Sequence, residues 1–164
     1  MATTLVTEKL FDLQALQRLF EYYWVNERLC FDLVDEASGE LLLAVGLHPA
    51  CARYHAADRM AELACKDPSA ADADRMITCC IGLTSIAAPI VVGANHVATL
   101  FVGPAATEPV DKAALAEQAR HFGLEETFWE DFRRIARSDR KTFAARTGSL
   151  VDIVTRMASQ RAAA

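Results

Sequence analysis

The segment 78–103 constrains the fold of this chain more than any other. It contains two apolar runs, 86–92 and 97–102, joined by the short turn Gly93-Ala94-Asn95. Two such runs separated by a glycine- and asparagine-containing turn are typical of a β-hairpin. The Gly103-Pro104 step predicts the end of this strand region, because these residues punctuate regular structure.

Composition predicts a globular chain. With 164 residues, 52% of them apolar and 24% charged, one domain with a hydrophobic core is expected, and disordered or fibrous classes are excluded. The apolar runs are all shorter than the roughly 18 residues that cross a bilayer. Residues 1–11 lack the apolar stretch of a signal peptide. We therefore expect a cytoplasmic protein, or a cytoplasmic fragment, without a membrane partner.

The charge pattern argues against direct nucleic-acid binding. The net charge is −5, and the arginines near 133–140 alternate with acidic residues, which is typical of a solvated helix face. Five cysteines, an odd number in a chain of cytosolic character, make a disulfide framework unexpected.

Apolar periodicity and turn residues predict the order of the elements. A helix is expected over 11–25 with Asp12 as its N-cap, and Gly148 is a possible interruption of the last helix. The predicted strands are 29–34, 41–45, 77–80, 86–92 and 97–102, and the further helices are 49–54, 56–65, 111–122, 125–136 and 139–159. This order predicts an α+β fold, with a PAS-like central antiparallel sheet of about five strands flanked by helices.

A set of short motifs in a particular order connects the chain to a known family. They are Cys51, Cys65-Lys66-Asp67, Cys79-Cys80-Ile81-Gly82-Leu83, Pro89-Ile90 and the hairpin glycine Gly103. In this order they resemble the PocR-type sensory domain, a PAS-like variant found in bacterial regulators. The resemblance implies that small hydrocarbon derivatives such as diols are bound.

The resemblance also implies an organisation for the chain. Residues 1–164 would form one sensory domain, with an N-terminal helix at 11–25, a PAS-like core at 28–104 and C-terminal helices at 111–159. Relatives carry an attached kinase or DNA-binding module, for which the sequence offers no counterpart. The chain departs from the family pattern at Cys80, which replaces a histidine, at Pro104, which replaces a frequent glutamine, and at Glu62, which replaces a further cysteine.

Five residues are predicted to contact a ligand. Tyr23, Trp24 and Phe101 offer large apolar surfaces suited to a pocket wall, although packing in the core would explain them as well. Cys79 and Cys80 are expected in a strand, where one sulfur faces the pocket and the other faces away.

Three cysteines also suggest an alternative function. Cys51, Cys65 and Cys79 could ligate Zn²⁺ or an iron centre, with His48 as a further ligand; other candidates for that position are Cys80, His55 and Glu62. The same cysteines could form a redox pair, or could be packed as ordinary buried residues. A metal or redox sensor is therefore the alternative to a plain ligand sensor.

Catalysis is not expected, because the sequence shows no acid–base or nucleophile constellation. The predicted function is a sensory domain that binds a small, largely apolar molecule in an interior cavity. It would signal through its terminal helices, with a homodimer as the expected assembly.

Overall fold

The computed structural model describes residues 7–79, 81–124 and 126–164. The helices are α1 (Leu13–Glu27), α2 (Pro49–Ala57), α3 (Arg59–Cys65), α4 (Lys112–His121), α5 (Glu126–Arg133) and α6 (Arg140–Ala163), with 3₁₀ turns at Thr7–Leu10 and Pro68–Ala70. The strands are β1 (Cys30–Asp35), β2 (Leu41–Val45), β3 (Met76–Thr78), β4 (Thr84–Val92), β5 (Asn95–Ala106) and β6 (Ala136–Arg137).

The strands form a single sheet in the order β2-β1-β5-β4-β3. All these neighbours are antiparallel, and the two-residue β6 pairs in parallel with the end of β5. The hairpin predicted from the 78–103 segment is present as β4 and β5, with Val92 opposite Asn95 across the turn. An α+β, PAS-like fold with a central antiparallel sheet flanked by helices is thus confirmed.

One face of the sheet is buried under the two long terminal helices. Phe20 of α1 stacks on Phe31 of β1 with ring centroids 4.5 Å apart, and both side chains are fully buried. From α6, Leu150 and Val154 join Leu100 of β5 in the same apolar cluster. Since side chains alternate along a strand, the residues between these core positions must face the other side of the sheet.

A second apolar cluster holds the remaining helices together. Tyr54 of α2, Leu115 of α4 and Phe128 of α5 are all buried in it, together with Ile81 and Leu83 of the loop before β4. This cluster positions α2 and α3 beside the sheet face that α1 and α6 leave uncovered.

Aspartates begin most of the helices. Asp12 Oδ1 accepts from the backbone N–H of Ala15 at 3.0 Å, which confirms the predicted N-cap of α1. Asp58, Asp111 and Asp139 cap α3, α4 and α6 in the same way. Each cap satisfies a backbone donor that the helix itself leaves unpaired.

Several local predictions were wrong. β5 does not end at Gly103-Pro104 but continues to Ala106, because Ala105 pairs with both Thr84 of β4 and Ala136 of β6. Gly148 does not interrupt α6. Ala136, expected at the end of a helix, instead forms β6 together with Arg137.

Cys79 was also assigned to the wrong element. β3 ends at Thr78, and Cys79 begins a tight turn, in which its N–H donates to the carbonyl of Leu83 and its own carbonyl accepts from Gly82. Cys80, the other residue of the predicted strand pair, lies outside the described residues.

In the described part of the chain, no helix has both the length and the apolar character needed to cross a bilayer.

Replacing Phe20 with alanine is expected to lower the free energy of unfolding by about 3 to 5 kcal/mol, because it removes a buried ring and its stack on Phe31. Urea denaturation monitored by circular dichroism measures the change. Tyr22→Ala on the same helix is the matched control: its side chain is 62% exposed, and the expected loss is about 0.5 kcal/mol or less. Equal losses in both variants would contradict this packing of α1.

Candidate ligand-binding cavity

A cavity of about 650 Å³ lies between the sheet and the helices α2 and α3. The sheet contributes Cys30, Asp32, Ala44, Ser85 and Phe101, and the helices contribute Cys51, Ala52, Tyr54, His55, Arg59, Glu62 and Cys65. The sheet residues among them occupy the face opposite the core under α1 and α6. The volume suits a small organic ligand.

Small side chains on this face of the sheet leave the space open. Cys30, Ala44, Ser85 and Gly103 occupy wall positions on four strands. Gly103 adopts a φ of +151°, and a Cβ there would lie 2.6 Å from Ser85 Oγ. β4 and β5 therefore approach each other at the wall more closely than side-chain-bearing residues could.

The wall is mostly apolar, but charged groups gather where α3 meets β1. Lys66, the C-cap of α3, places Nζ 3.2 Å from Asp32 Oδ2 of β1. His55, Arg59 and Glu62 line the same side of the cavity. The arrangement suits a ligand with an apolar body and a polar end.

The three aromatic residues predicted to contact ligand lie in different places. Phe101 lines the cavity and is 7% exposed. Tyr23 packs edge-on against Phe31 at 6.1 Å, under α1. Trp24 lies against Gly46, a cavity residue whose φ is +77° and whose added Cβ would be 2.7 Å from the indole.

Trp24 thus packs against the cavity wall at Gly46 without lining the cavity itself. Tyr23 is likewise not among the described residues that line the cavity. The indole instead borders an adjoining cavity of about 150 Å³, where the guanidinium of Arg28 lies 5.8 Å from its ring centroid.

His48 connects the cavity to α5. Its side chain is 2% exposed, and Nδ1 accepts from the N–H of Ala50 at 3.3 Å, which caps α2. The Arg134 backbone favours the protonated form of the ring but does not overcome burial, which lowers the pKa of His48. Nδ1 therefore has a backbone partner in this conformation.

Four of the described cysteines line the cavity, and one of them was not singled out from the sequence. Cys51, Cys65 and Cys79 come together as the sequence suggested, and Cys30 of β1 joins them. All four side chains are half-buried. Cys30 is preceded and followed by apolar residues, so the only signal for it was its place at the start of an apolar run.

The thiols differ in acidity because their surroundings differ. Burial raises the pKa of Cys30 and of Cys51 to about 12, and for Cys51 the nearby Cys30 and Cys79 add to the effect. Cys79 is the opposite case: a hydrogen bond from the Cys65 thiol, assisted by the N–H groups of Leu83 and Ile81, lowers its pKa to about 7. Burial works against this stabilisation of the thiolate without overcoming it.

The predicted Zn or Fe centre gains no support from these positions. Within residues 7–79, 81–124 and 126–164, no group of three or more His, Cys, Asp or Glu side chains is arranged to hold a metal ion. The redox half of the alternative function stays a prediction.

The family model for the sensory domain found in PocR matches residues 9–162, nearly the whole chain. The chain belongs to this family of PocR sensory domains. The match confirms the relationship suggested by the ordered cysteine, Pro-Ile and glycine motifs. Searches of curated proteins and of solved structures gave no significant match.

Alkylation should separate the cysteines of this PocR sensory domain by acidity. We expect iodoacetamide to modify Cys79 at a rate that rises through a midpoint near pH 7, since the thiolate is the nucleophile. Cys30 and Cys51, with pKa values of about 12, should react slowly over the same range. Peptide mass spectrometry assigns each rate, and a common pH profile for all cavity cysteines would contradict the assignment.

Acidification should destabilise the fold through His48. Burial lowers the pKa of His48 below its ordinary value of 6.5, and Arg28 lowers it further, against the opposing effects of Asp131 and the Arg134 carbonyl. The unfolded chain therefore binds a proton first as the pH falls, and stability decreases from pH 6.5 down through the lowered folded-state pKa.

His48→Asn keeps a capping side chain and removes this titration, so its melting temperature should fall less steeply over that range. His55→Asn is a second test of the same linkage: burial also lowers the pKa of His55, a half-buried residue on the same helix, so removing this group should flatten the slope as well. An unchanged slope in His48→Asn would show that His48 does not titrate as stated.

Proposed function

We propose that this chain is a sensory domain that binds a small, largely apolar molecule in the cavity between the sheet and α2–α3, and that it signals through its terminal helices. The observation that carries the proposal is the 650 Å³ cavity on the open face of the sheet, in a chain that belongs to a sensory-domain family. Membership of that family favours a non-enzymatic role.

The wall chemistry supports a particular kind of ligand. Phe101, Leu83 and Ile81 offer apolar contact, whereas Ser85, His55 and Arg59 offer hydrogen bonds or charge. A short-chain alcohol, diol or acid presents both kinds of group in a volume that fits the cavity. The few polar groups would fix orientation, and the apolar wall would supply most of the affinity.

The strands contact both the cavity and the core under the terminal helices, which supports a route for the signal. On β5, Phe101 lines the cavity, while Leu100 beside it packs in the core under α1 and α6. A ligand that shifts β1 or β5 would therefore change the packing of both terminal helices. Binding would act by favouring one of two helix arrangements, which requires only a difference in ligand affinity between them.

The homodimer remains a prediction, for which the terminal helices offer a surface. Tyr22 and Val25 of α1 are 62% and 65% exposed, and Ile153 of α6 is 43% exposed. A second copy of the chain would cover these apolar side chains, and a signal carried by α1 and α6 would then reach the interface. We propose no identity for the effector that would read the signal.

A panel of short-chain alcohols, diols and carboxylic acids, screened by thermal shift, tests the ligand. At least one compound is expected to raise the melting temperature by roughly 5 °C at about a hundred times its Kd. Ala44→Phe, which places a ring in the cavity, should abolish the shift. Ala94→Phe, at the exposed β4–β5 turn, is the matched control and should retain it.

Hydrogen exchange on the same samples tests the signalling route. The active compound should change amide protection in α1 or α6 as well as at the cavity wall. A thermal shift that survives in Ala44→Phe would place the binding site elsewhere. A shift confined to the wall, with unchanged terminal helices, would contradict the proposed route.

A further inference from the structure

A second, smaller cavity lies beside the large one, where the end of α1, the start of α2 and the end of α5 meet. Its volume is about 150 Å³, and its described lining residues are Trp24, Arg28, His48, Pro49, Asp131 and Arg134. His48 lines both cavities, so the two share a wall there. Since liquid water occupies about 30 Å³ per molecule, the small cavity has room for roughly five heavy atoms.

Two arginines supply positive charge to the small cavity. Arg28 directly follows α1, and its guanidinium lies 5.8 Å from the ring centroid of Trp24. Among the residues that the structure describes, no acidic side chain forms an ion pair with Arg28. The face of an indole is a weaker partner for a guanidinium than a carboxylate, so the donors of Arg28 remain available to a bound anion. The second arginine is Arg134, which follows α5.

The one carboxylate among the described wall residues is already engaged. Asp131 is 9% exposed; its Oδ2 lies 3.0 Å from Arg53 Nε, and its Oδ1 lies 3.9 Å from a terminal nitrogen of Arg134. The described wall thus carries two guanidinium groups and one carboxylate, a net charge of +1, with His48 neutral at neutral pH because burial lowers its pKa. A monoanion would compensate this charge, whereas a dianion would bring one negative charge too many.

Two wall residues offer apolar contact. Trp24 and Pro49 present an indole and a pyrrolidine ring, which suit a short hydrocarbon chain. The indole packs closely against Gly46, where an added Cβ would lie 2.7 Å from it, so its position in the wall is restrained. An inorganic oxoanion has no apolar part and would leave this surface without a partner, whereas an organic acid would use both kinds of wall.

We propose that the small cavity binds a short-chain carboxylate such as acetate or propionate, with its carboxylate group toward Arg28 and Arg134 and its alkyl chain against Trp24 and Pro49. A guanidinium group recognises a carboxylate through parallel N–H donors, which fixes the orientation of the bound acid. Acetate and propionate both fit the available volume. The site is separate from the large cavity and does not depend on what the large cavity binds.

The fluorescence of Trp24 reports on binding in the small cavity. The chain has two tryptophans, and Trp129→Phe leaves Trp24 as the only one. Titration of this variant with propionate at constant ionic strength should give a saturable change in emission below about 100 mM, which is a hundred times a Kd of about 1 mM. Propionamide has the same shape without the charge and should give no saturable change. Saturation by both compounds, or by neither, would overturn the proposal.

Calorimetric titration of the wild-type protein and of arginine variants assigns the contacts. Arg28→Gln and Arg134→Gln should each weaken propionate binding by about tenfold or more, since each removes a charged donor group. Arg133→Gln is the matched control: it removes the same charge at the last residue of α5, and Arg133 is not among the described residues that line the cavity. Equal weakening in all three variants would show a general effect of net charge and would contradict the site.

Two comparisons separate this site from the large cavity and from an oxoanion site. Ala44→Phe, which places a ring in the large cavity, should leave propionate binding intact. Loss of binding in Ala44→Phe together with retention in Arg28→Gln would place the carboxylate in the large cavity and overturn the proposal. Inorganic phosphate should bind at least about tenfold more weakly than propionate, and equal affinities would rule out a carboxylate site. A failed ligand screen on the large cavity would leave these results unchanged.

Discussion

In β1, β4 and β5, successive side chains point to opposite faces of the sheet, so that each strand serves two environments at once. Phe31, Leu100 and Ile90 face α1 and α6 and are fully buried, whereas Cys30, Phe101 and Ser85 face the cavity. The large apolar side chains on the first face supply the burial that stabilises the fold. The second face is thereby free to keep small and polar side chains, and with them an open volume.

The helices that cover the cavity are held by different interactions from those that cover the core. α2 is fixed through Tyr54 in the second apolar cluster, through the ring of His48, and through the ion pair of Arg53 with Asp131 at 3.0 Å. α3 depends on Ala61, on its contact with α2 and on the Lys66–Asp32 ion pair. The described interactions therefore hold α2 at more points than α3.

The differences among the cavity cysteines illustrate how local geometry sets chemistry. All four are half-buried residues of one type in one cavity, yet the pKa of Cys79 is lowered to about 7 and those of Cys30 and Cys51 are raised to about 12. Burial disfavours the thiolate of Cys30, of Cys51 and of Cys79. At Cys79 the interaction with Cys65 and the backbone N–H groups of the tight turn outweigh burial, whereas at Cys30 a backbone hydrogen bond from His48 does not.

Much of the fold was predictable because its signals are local. The β4–β5 hairpin follows from two apolar runs around a glycine-containing turn, and α1 follows from apolar spacing behind the cap Asp12. The predictions were wrong where the secondary structure depends on pairing with residues distant in the sequence. β6 exists because Ala136 pairs with Ala105. β5 continues past Pro104 because Ala105 also pairs, on its other side, with Thr84 of β4.

The candidate site was predictable only in its residue types. The ordered motifs pointed to Cys51, Cys65 and Cys79, and Phe101 was chosen for its aromatic surface; all four line the cavity. Tyr23 and Trp24 were chosen for their aromatic surface, but helical phase turns Tyr23 toward Phe31 and Trp24 toward Gly46. Cys30 and Asp32 could not be singled out, since nothing in a single strand indicates which of its faces will meet a cavity.

By itself, the sequence determined the family, the α+β class and the order of the main elements, because periodicity, caps and turn residues act between near neighbours. The tertiary structure alone decided which cysteines line one cavity, which of them carries the more acidic thiol, and that His48 is buried beside Asp131 and Arg134. Those properties depend on distances between elements separated by many residues, and such distances are set only when the apolar faces of the sheet and helices pack together.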